Sequence, residues 1–123
     1  ARGIAERVTV TGAVDGPAWQ DWLGRTAVAV QLRESASGET SAAVLEALAA
    51  GVPVLTNLAT AAEYGAGTVA LVASAEPAAV AARLRTLLDD GDERRALAEA
   101  GMSFARHHQF SGLAAALVAA VVP

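Results

Sequence analysis

The segment Ala27–Leu32 (AVAVQL) limits the possible folds more than any other, because it is apolar at nearly every position instead of every second one. A strand with one wet face alternates. A continuously apolar strand is expected to be covered on both faces, as in a parallel sheet with helices above and below. Pro53–Asn57 (PVLTN) and Val69–Val72 (VALV) read as further strands of this kind. Arg7–Gly12 (RVTVTG) places β-branched residues at alternate positions and ends on glycine, which predicts another strand.

Helical patterns fill the intervals. After the turn Asp15-Gly16-Pro17, the residues Trp19, Trp22 and Leu23 fall at i, i+3 and i+4 and predict a short helix to about Gly24. Ser41–Ala50 predicts a helix capped by Thr40 or Ser41 and ended by Gly51. Val80, Leu84, Leu87 and Leu88 mark an amphipathic helix that stops at Gly91. A second, starting from Asp92, carries Leu97, Gly101 and Phe104 on one face, and a third, from Ser111, carries Leu113, Leu117, Val118 and Val121. Strands alternating with helices predict one α/β domain over residues 1–123, an open and mostly parallel sheet with flanking helices.

Composition removes several kinds of chemistry. The chain has no cysteine, which excludes a disulfide framework, a thiolate metal site and a cysteine nucleophile. Its basic residues are all arginine, which excludes a Walker-type phosphate loop and Schiff-base catalysis. A net charge of -4 without a basic cluster argues against nucleic acid or an anionic membrane as the main partner. The apolar content of 54% owes much to alanine, and no run approaches the ~18 apolar residues of a membrane span. With no apolar signal core at its start, the chain is expected to be cytoplasmic.

In an open α/β sheet, ligands bind beyond the C-terminal ends of the strands. The loop from Arg33 to Ser41 leaves such an end and enters a helix N-terminus. Gly38, Thr40 and Ser41 are small enough for their backbone N–H groups to approach an anion, the helix end adds partial positive charge, and Arg33 offers a charge-assisted fork to phosphate. Glu46 is the only charge between Glu39 and Glu63, on a helix otherwise made of Ala, Val and Leu. Buried there, its carboxylate needs donors such as sugar hydroxyls, a backbone N–H or Arg. It lies roughly 7.5 Å along the axis from Ser41, about the span from a phosphate to the ribose of one nucleotide. The competing reading places Glu46 on a solvated stripe of a half-buried helix. Glu63-Tyr64-Gly65, on the same edge, is a further site candidate. His107-His108 reads as a helix end favoured by the dipole, Asp89-Asp90 with Asp92-Glu93 as helix capping without a metal, and the tryptophans as core.

The order RVTVTG, AVAVQLR, GETSAAVLEALAAGVPVLTN, AAEYGAGTVALV and DDGDERRALAEAGMSFARHHQFS resembles the C-terminal domain of family 4 glycosyltransferases (group 1, GT-B fold) over nearly the whole chain. Gly38–Val54 is its most specific part. The resemblance implies a Rossmann-like domain that holds a nucleotide-diphospho-sugar donor for transfer with retention, with no cofactor and no required metal. Of the two motif glutamates seven residues apart, the second, which binds ribose hydroxyls in the family, is Glu46. The first, which contacts the donor sugar, aligns with Gly38, and Glu39 follows one residue late as the possible catalytic carboxylate. Arg33, Glu39 and the N–H groups of Thr40 and Ser41 are the alternative loop contacts.

The resemblance also implies a partial domain that lacks the first two strands and the acceptor-binding N-terminal domain, so that the chain alone is inactive. Arg7–Gly12 would then re-pair with AVAVQL or exchange into a strand-swapped homodimer. The composition suggests a bacterial source. The rival readings are a non-catalytic α/β interaction or regulatory module and a GT-B nucleotide-sugar epimerase.

Overall fold

A computed structural model describes residues 3–34, 41–57, 63–108 and 110–121. Its centre is a three-stranded parallel sheet of β1 (Ala29–Gln31), β2 (Val54–Asn57) and β3 (Ala70–Val72), in the order β1-β2-β3. The register places Val30 beside Leu55 and Leu55 beside Ala70. Five α-helices, α1 (Gly16–Gly24), α2 (Ala42–Ala49), α3 (Pro77–Asp89), α4 (Gly91–His107) and α5 (Phe110–Val121), accompany it among the described residues. This is the expected Rossmann-like α/β arrangement of a GT-B domain.

The sheet separates two apolar clusters, because successive strand residues point to opposite faces. Val54, Val69 and Ala29 face α1, α2 and the end of α4, packing with Leu23, Val44, Ala47, Leu48, Tyr64 and Ala105. Leu55, Ala70, Val72, Val28 and Leu32 face α3 and the start of α4, packing with Val80, Leu84, Leu87 and Leu97. Helix α4 therefore serves both layers. Val30 departs from the expectation that AVAVQL is covered on both faces: it lies on the edge strand β1 and is 41% exposed.

Helix ends follow the local chemistry. Asp15 caps α1 by accepting from Ala18 N–H at 2.8 Å, and Ser41 caps α2 through Val44 N–H at 3.4 Å. At the far end of α2, Gly51 at φ +74° donates to Leu48 O while Val52 N–H reaches Ala47 O, the paired closure of a Schellman motif. The α3–α4 junction differs from the sequence reading, which stopped the first helix at Gly91. Asp90 is both the C-cap of α3 and the N-cap of α4, accepting from Glu93 N–H at 2.9 Å, and Gly91 opens α4. Arg94 donates to the terminal α3 carbonyls of Leu87 and Leu88, so the last turn is satisfied by a cation. Arg83 joins three elements, donating to Leu71 O of β3 and pairing with Glu93 at 2.5 Å; that hydrogen bond holds the Glu93 carboxyl below its ordinary range.

The predicted strand Arg7–Gly12 does not form. Ala5–Arg7 is a 3-10 turn, and residues 8–13 lack strand pairing, with Val10 91% exposed. Extended backbone is held in a sheet by ladder hydrogen bonds, and residues 8–13 make none with the free edge of β1, so the expected re-pairing with AVAVQL within one copy is not seen. The segment instead borders a groove of about 370 Å³ with Thr9, Thr11, Gly12 and Val14 on one side and Trp19, Trp22 and Ala29 on the other. The C-terminal helix forms as expected, starting at Phe110, but Leu117, Val118 and Val121 are exposed on it. No helix among the described residues is long and apolar enough to cross a membrane.

Helices α2 and α4 approach each other closely at Gly101, where a Cβ would stand 2.8 Å from Leu48 Cδ2. Leu48 is fully buried and has no free space to turn into. Gly101→Val is expected to destabilise the fold by about 1–3 kcal/mol, the usual cost of overpacking, measurable as a lower urea midpoint with an unchanged m-value.

Candidate functional site

Three chain connections meet at the C-terminal ends of the strands. The first leaves β1 at Arg33, whose backbone is held in both directions by the Asn57 amide at the end of β2: Arg33 N–H donates to Asn57 Oδ1 at 3.1 Å and Asn57 Nδ2 donates to Arg33 O at 2.6 Å. The second enters α2 at Ser41. The third runs from β2 to β3 and carries Glu63 and Tyr64.

Tyr64 ties the third connection to the second. Its hydroxyl accepts the Ser41 N–H at 3.2 Å, and the whole residue is only 1% exposed. Burial pushes its phenol above the ordinary value of 10.0, the Ser41 hydrogen bond opposes that, and the charges of Glu63 and Arg33 act in opposite directions on it. Its ring leans on Phe104 of α4 at 5.8 Å and 59°, and Phe104 stacks on His108 at 3.8 Å and 14°. Sequence reasoning named Tyr64 only within a loop motif. Its role depends on a contact across 23 positions, which no local pattern signals.

The predicted site residues fare differently. Gly38, Glu39 and Thr40 lie outside the described residues. Arg33 and Ser41 are brought to the same rim, but the Ser41 N–H, expected to face an anion, is engaged by Tyr64. With Ser41 also capping Val44, the amides of Ala42 and Ala43 remain as the first two donors of α2.

Glu46 is not enclosed by its apolar helix. It is exposed, on the flank of α2 that faces α1, and the Trp19 indole N–H donates to its Oε2. The helix buries Val44, Ala47 and Leu48 instead, so Glu46 falls on the outer stripe, as the competing reading had it. This carboxylate borders two open hollows. One, of about 360 Å³, is lined by Val14, Asp15, Gly16, Trp19, Ala43 and Glu46; the other, of about 200 Å³, by Leu45, Glu46, Ala49, Ala105 and His108.

Trp19 is half-buried against the core, whereas Trp22 is 37% exposed with the Arg25 guanidinium 4.7 Å above its ring. His107 and His108 each donate through Nδ1 to the carbonyl four residues back, as helix-end imidazoles do. The acidic run at 89–93 caps helices and pairs with arginine, and no cluster of three metal-ligating side chains occurs among the described residues. A larger hollow, of about 660 Å³, lies at that α3–α4 turn and is remote from the strand ends.

A parallel α/β sheet with polar connections gathered at its C-terminal edge defines the class of Rossmann-like domains. The chain belongs to the glycosyl transferases group 1 family, whose model matches residues 1–90. A similar solved structure is the sucrose-phosphate synthase of Thermosynechococcus elongatus, 22% identical, with a TM-score of 0.74 over 95% of this chain. The chain spans about a third (32%) of that synthase. No curated protein matches the chain.

The sequence contains one tyrosine, so tyrosinate absorbance reports on Tyr64 alone. Its titration midpoint is expected above 10.0. A phenol whose folded pKa is raised stabilises the fold below its unfolded pKa, and that contribution is lost as pH rises through the folded value. Thermal stability should therefore fall above about pH 10, and in Tyr64→Phe this component of the fall should be absent. Tyr64→Phe should also cost about 1–3 kcal/mol at neutral pH, because the buried Ser41 N–H loses its acceptor.

Proposed function

We propose that this chain is the donor-binding part of a retaining glycosyltransferase that takes a nucleotide-diphospho-sugar. The observation that carries the reading is the placement of Glu46. It is an accessible carboxylate beside a hollow, on the same helix as the amides that begin α2 and about one turn below them.

In this reading the diphosphate lies against the first amides of α2, where Ala42 and Ala43 supply donors and the helix dipole supplies partial positive charge. Arg33 approaches it from the end of β1. Glu46 receives the two ribose hydroxyls, exchanging its present donor, Trp19, for the ligand. Glu39 is the proposed contact to the donor sugar, with Gly38 and Thr40 as further donor-binding residues. Stabilisation of the departing diphosphate by Arg33 and the helix tip calls for no metal ion. The remaining partners are an acceptor-binding N-terminal domain of the same enzyme and, through residues 7–12 and the open edge of β1, a second copy of the chain. The proposed location is the cytoplasm of a bacterial cell.

Two measurements test this. In calorimetric titrations with UDP, GDP and ADP, the parent should bind at least one, and Glu46→Ala should weaken that binding by roughly 10- to 100-fold, the equivalent of about 1.5–3 kcal/mol for hydrogen bonds to a charged group. Equal affinity for the variant and the parent would refute the ribose assignment. For the strand exchange, light scattering should return the mass of a dimer, and Val10→Pro should return it to a monomer, since proline removes a ladder donor.

A further inference from the structure

Among the described residues, Glu63 is the one whose buried side-chain oxygens lack a hydrogen-bond partner. Both of its carboxylate oxygens are withdrawn from solvent and neither has a hydrogen-bond partner. A carboxylate accepts only, and leaving one buried without a donor is costly, so native structures seldom do so unless something else supplies the donor. Two nearby polar groups are engaged by other partners. The Tyr64 hydroxyl takes the Ser41 N–H, and the Asn57 amide is bound to the Arg33 backbone. The ion pairs among the described residues are Arg25–Asp21, Arg83–Glu93 and Arg95–Asp92, none of which includes Glu63.

Glu63 belongs to the connection that leaves the C-terminal end of β2, the edge from which the β1 connection also departs at Arg33. The next residue, Tyr64, touches the first residue of the α2 cap. The orphaned acceptor therefore stands at the ligand-binding edge of an α/β sheet.

A divalent cation would need several oxygen ligands, and no cluster of three such acidic or imidazole residues exists among the described residues. A ligand rich in hydroxyl groups fits better, since each O–H is a donor and a charged acceptor strengthens the bond. We propose that Glu63 receives hydroxyl groups of the sugar carried by the donor, in the role for which this sequence has glycine at position 38. This rests on the donor-site reading above and adds a residue to it.

The test compares nucleotide with nucleotide-sugar. Isotope-labelled parent, Glu63→Gln and Glu63→Leu chains are titrated by NMR with UDP, GDP and ADP, and with UDP-glucose, GDP-mannose and ADP-glucose. The parent should bind one nucleotide-sugar more tightly than its nucleoside diphosphate. Glu63→Leu should lose that preference by about tenfold or more, Glu63→Gln by less, and both should keep the parent affinity for the diphosphate. Without ligand, both variants should melt at or above the parent temperature, because an unpartnered buried charge is removed. An unchanged sugar preference would overturn the role of Glu63 and leave the nucleotide reading standing. A lower melting temperature for both variants, or failure of both to fold, would show that Glu63 has a structural partner and overturn it as well. A parent that binds none of the six ligands overturns both readings together.

Discussion

The packing of α2 against α4 is the contact on which the rest of the molecule depends. Leu48 fills the space that Gly101 leaves empty, and a single added carbon there would fall within 2.8 Å of it. That close approach sets α2 against the sheet with Val44, Ala47 and Leu48 inward, and so decides which residues of α2 remain on its outer flank. Glu46 faces solvent for this reason. Gly51 completes the arrangement from the other end, because its left-handed backbone closes the helix and returns the chain into β2.

A second line of contacts connects α4 to the candidate site. His108 stacks on Phe104, Phe104 meets the edge of Tyr64, and the Tyr64 hydroxyl receives Ser41 at the head of α2. Both ends of α2 are thus positioned by groups outside it. The site is built from separate connections, at 33, 41 and 63–64, that only the sheet brings to one edge. Such an edge supplies a place for a ligand without supplying all its contacts from one stretch of sequence.

Much of this was legible from residue patterns. AVAVQL, PVLTN and VALV predicted three strands of a parallel sheet, and the turn Asp15-Gly16-Pro17, a cap at Thr40 or Ser41 and the stop at Gly51 predicted the bounds of the first two α-helices, because those signals act over a few bonds. The failures share one cause. RVTVTG has the alternation of a strand, but a strand is held by hydrogen bonds to a neighbour, and this segment does not dock on the free edge of β1. Gly91 looks like a stop, but the Asp90 side chain organises the junction before it. Glu46 on an apolar helix suggested burial, although the number of apolar residues on a helix does not say which stripe turns inward.

The sequence by itself determined the class of fold, the existence and order of the main helices and the family, since apolar periodicity, capping residues and the Gly38–Val54 motif are properties of neighbouring positions. Tertiary structure alone decided that Glu46 is open to solvent and bonded to Trp19, that Tyr64 occupies the Ser41 N–H, and that the carboxylate oxygens of Glu63 are buried without a donor. Each of these depends on which groups from distant parts of the chain come within a hydrogen bond of one another. Packing geometry sets that, and no local spacing of residues encodes it.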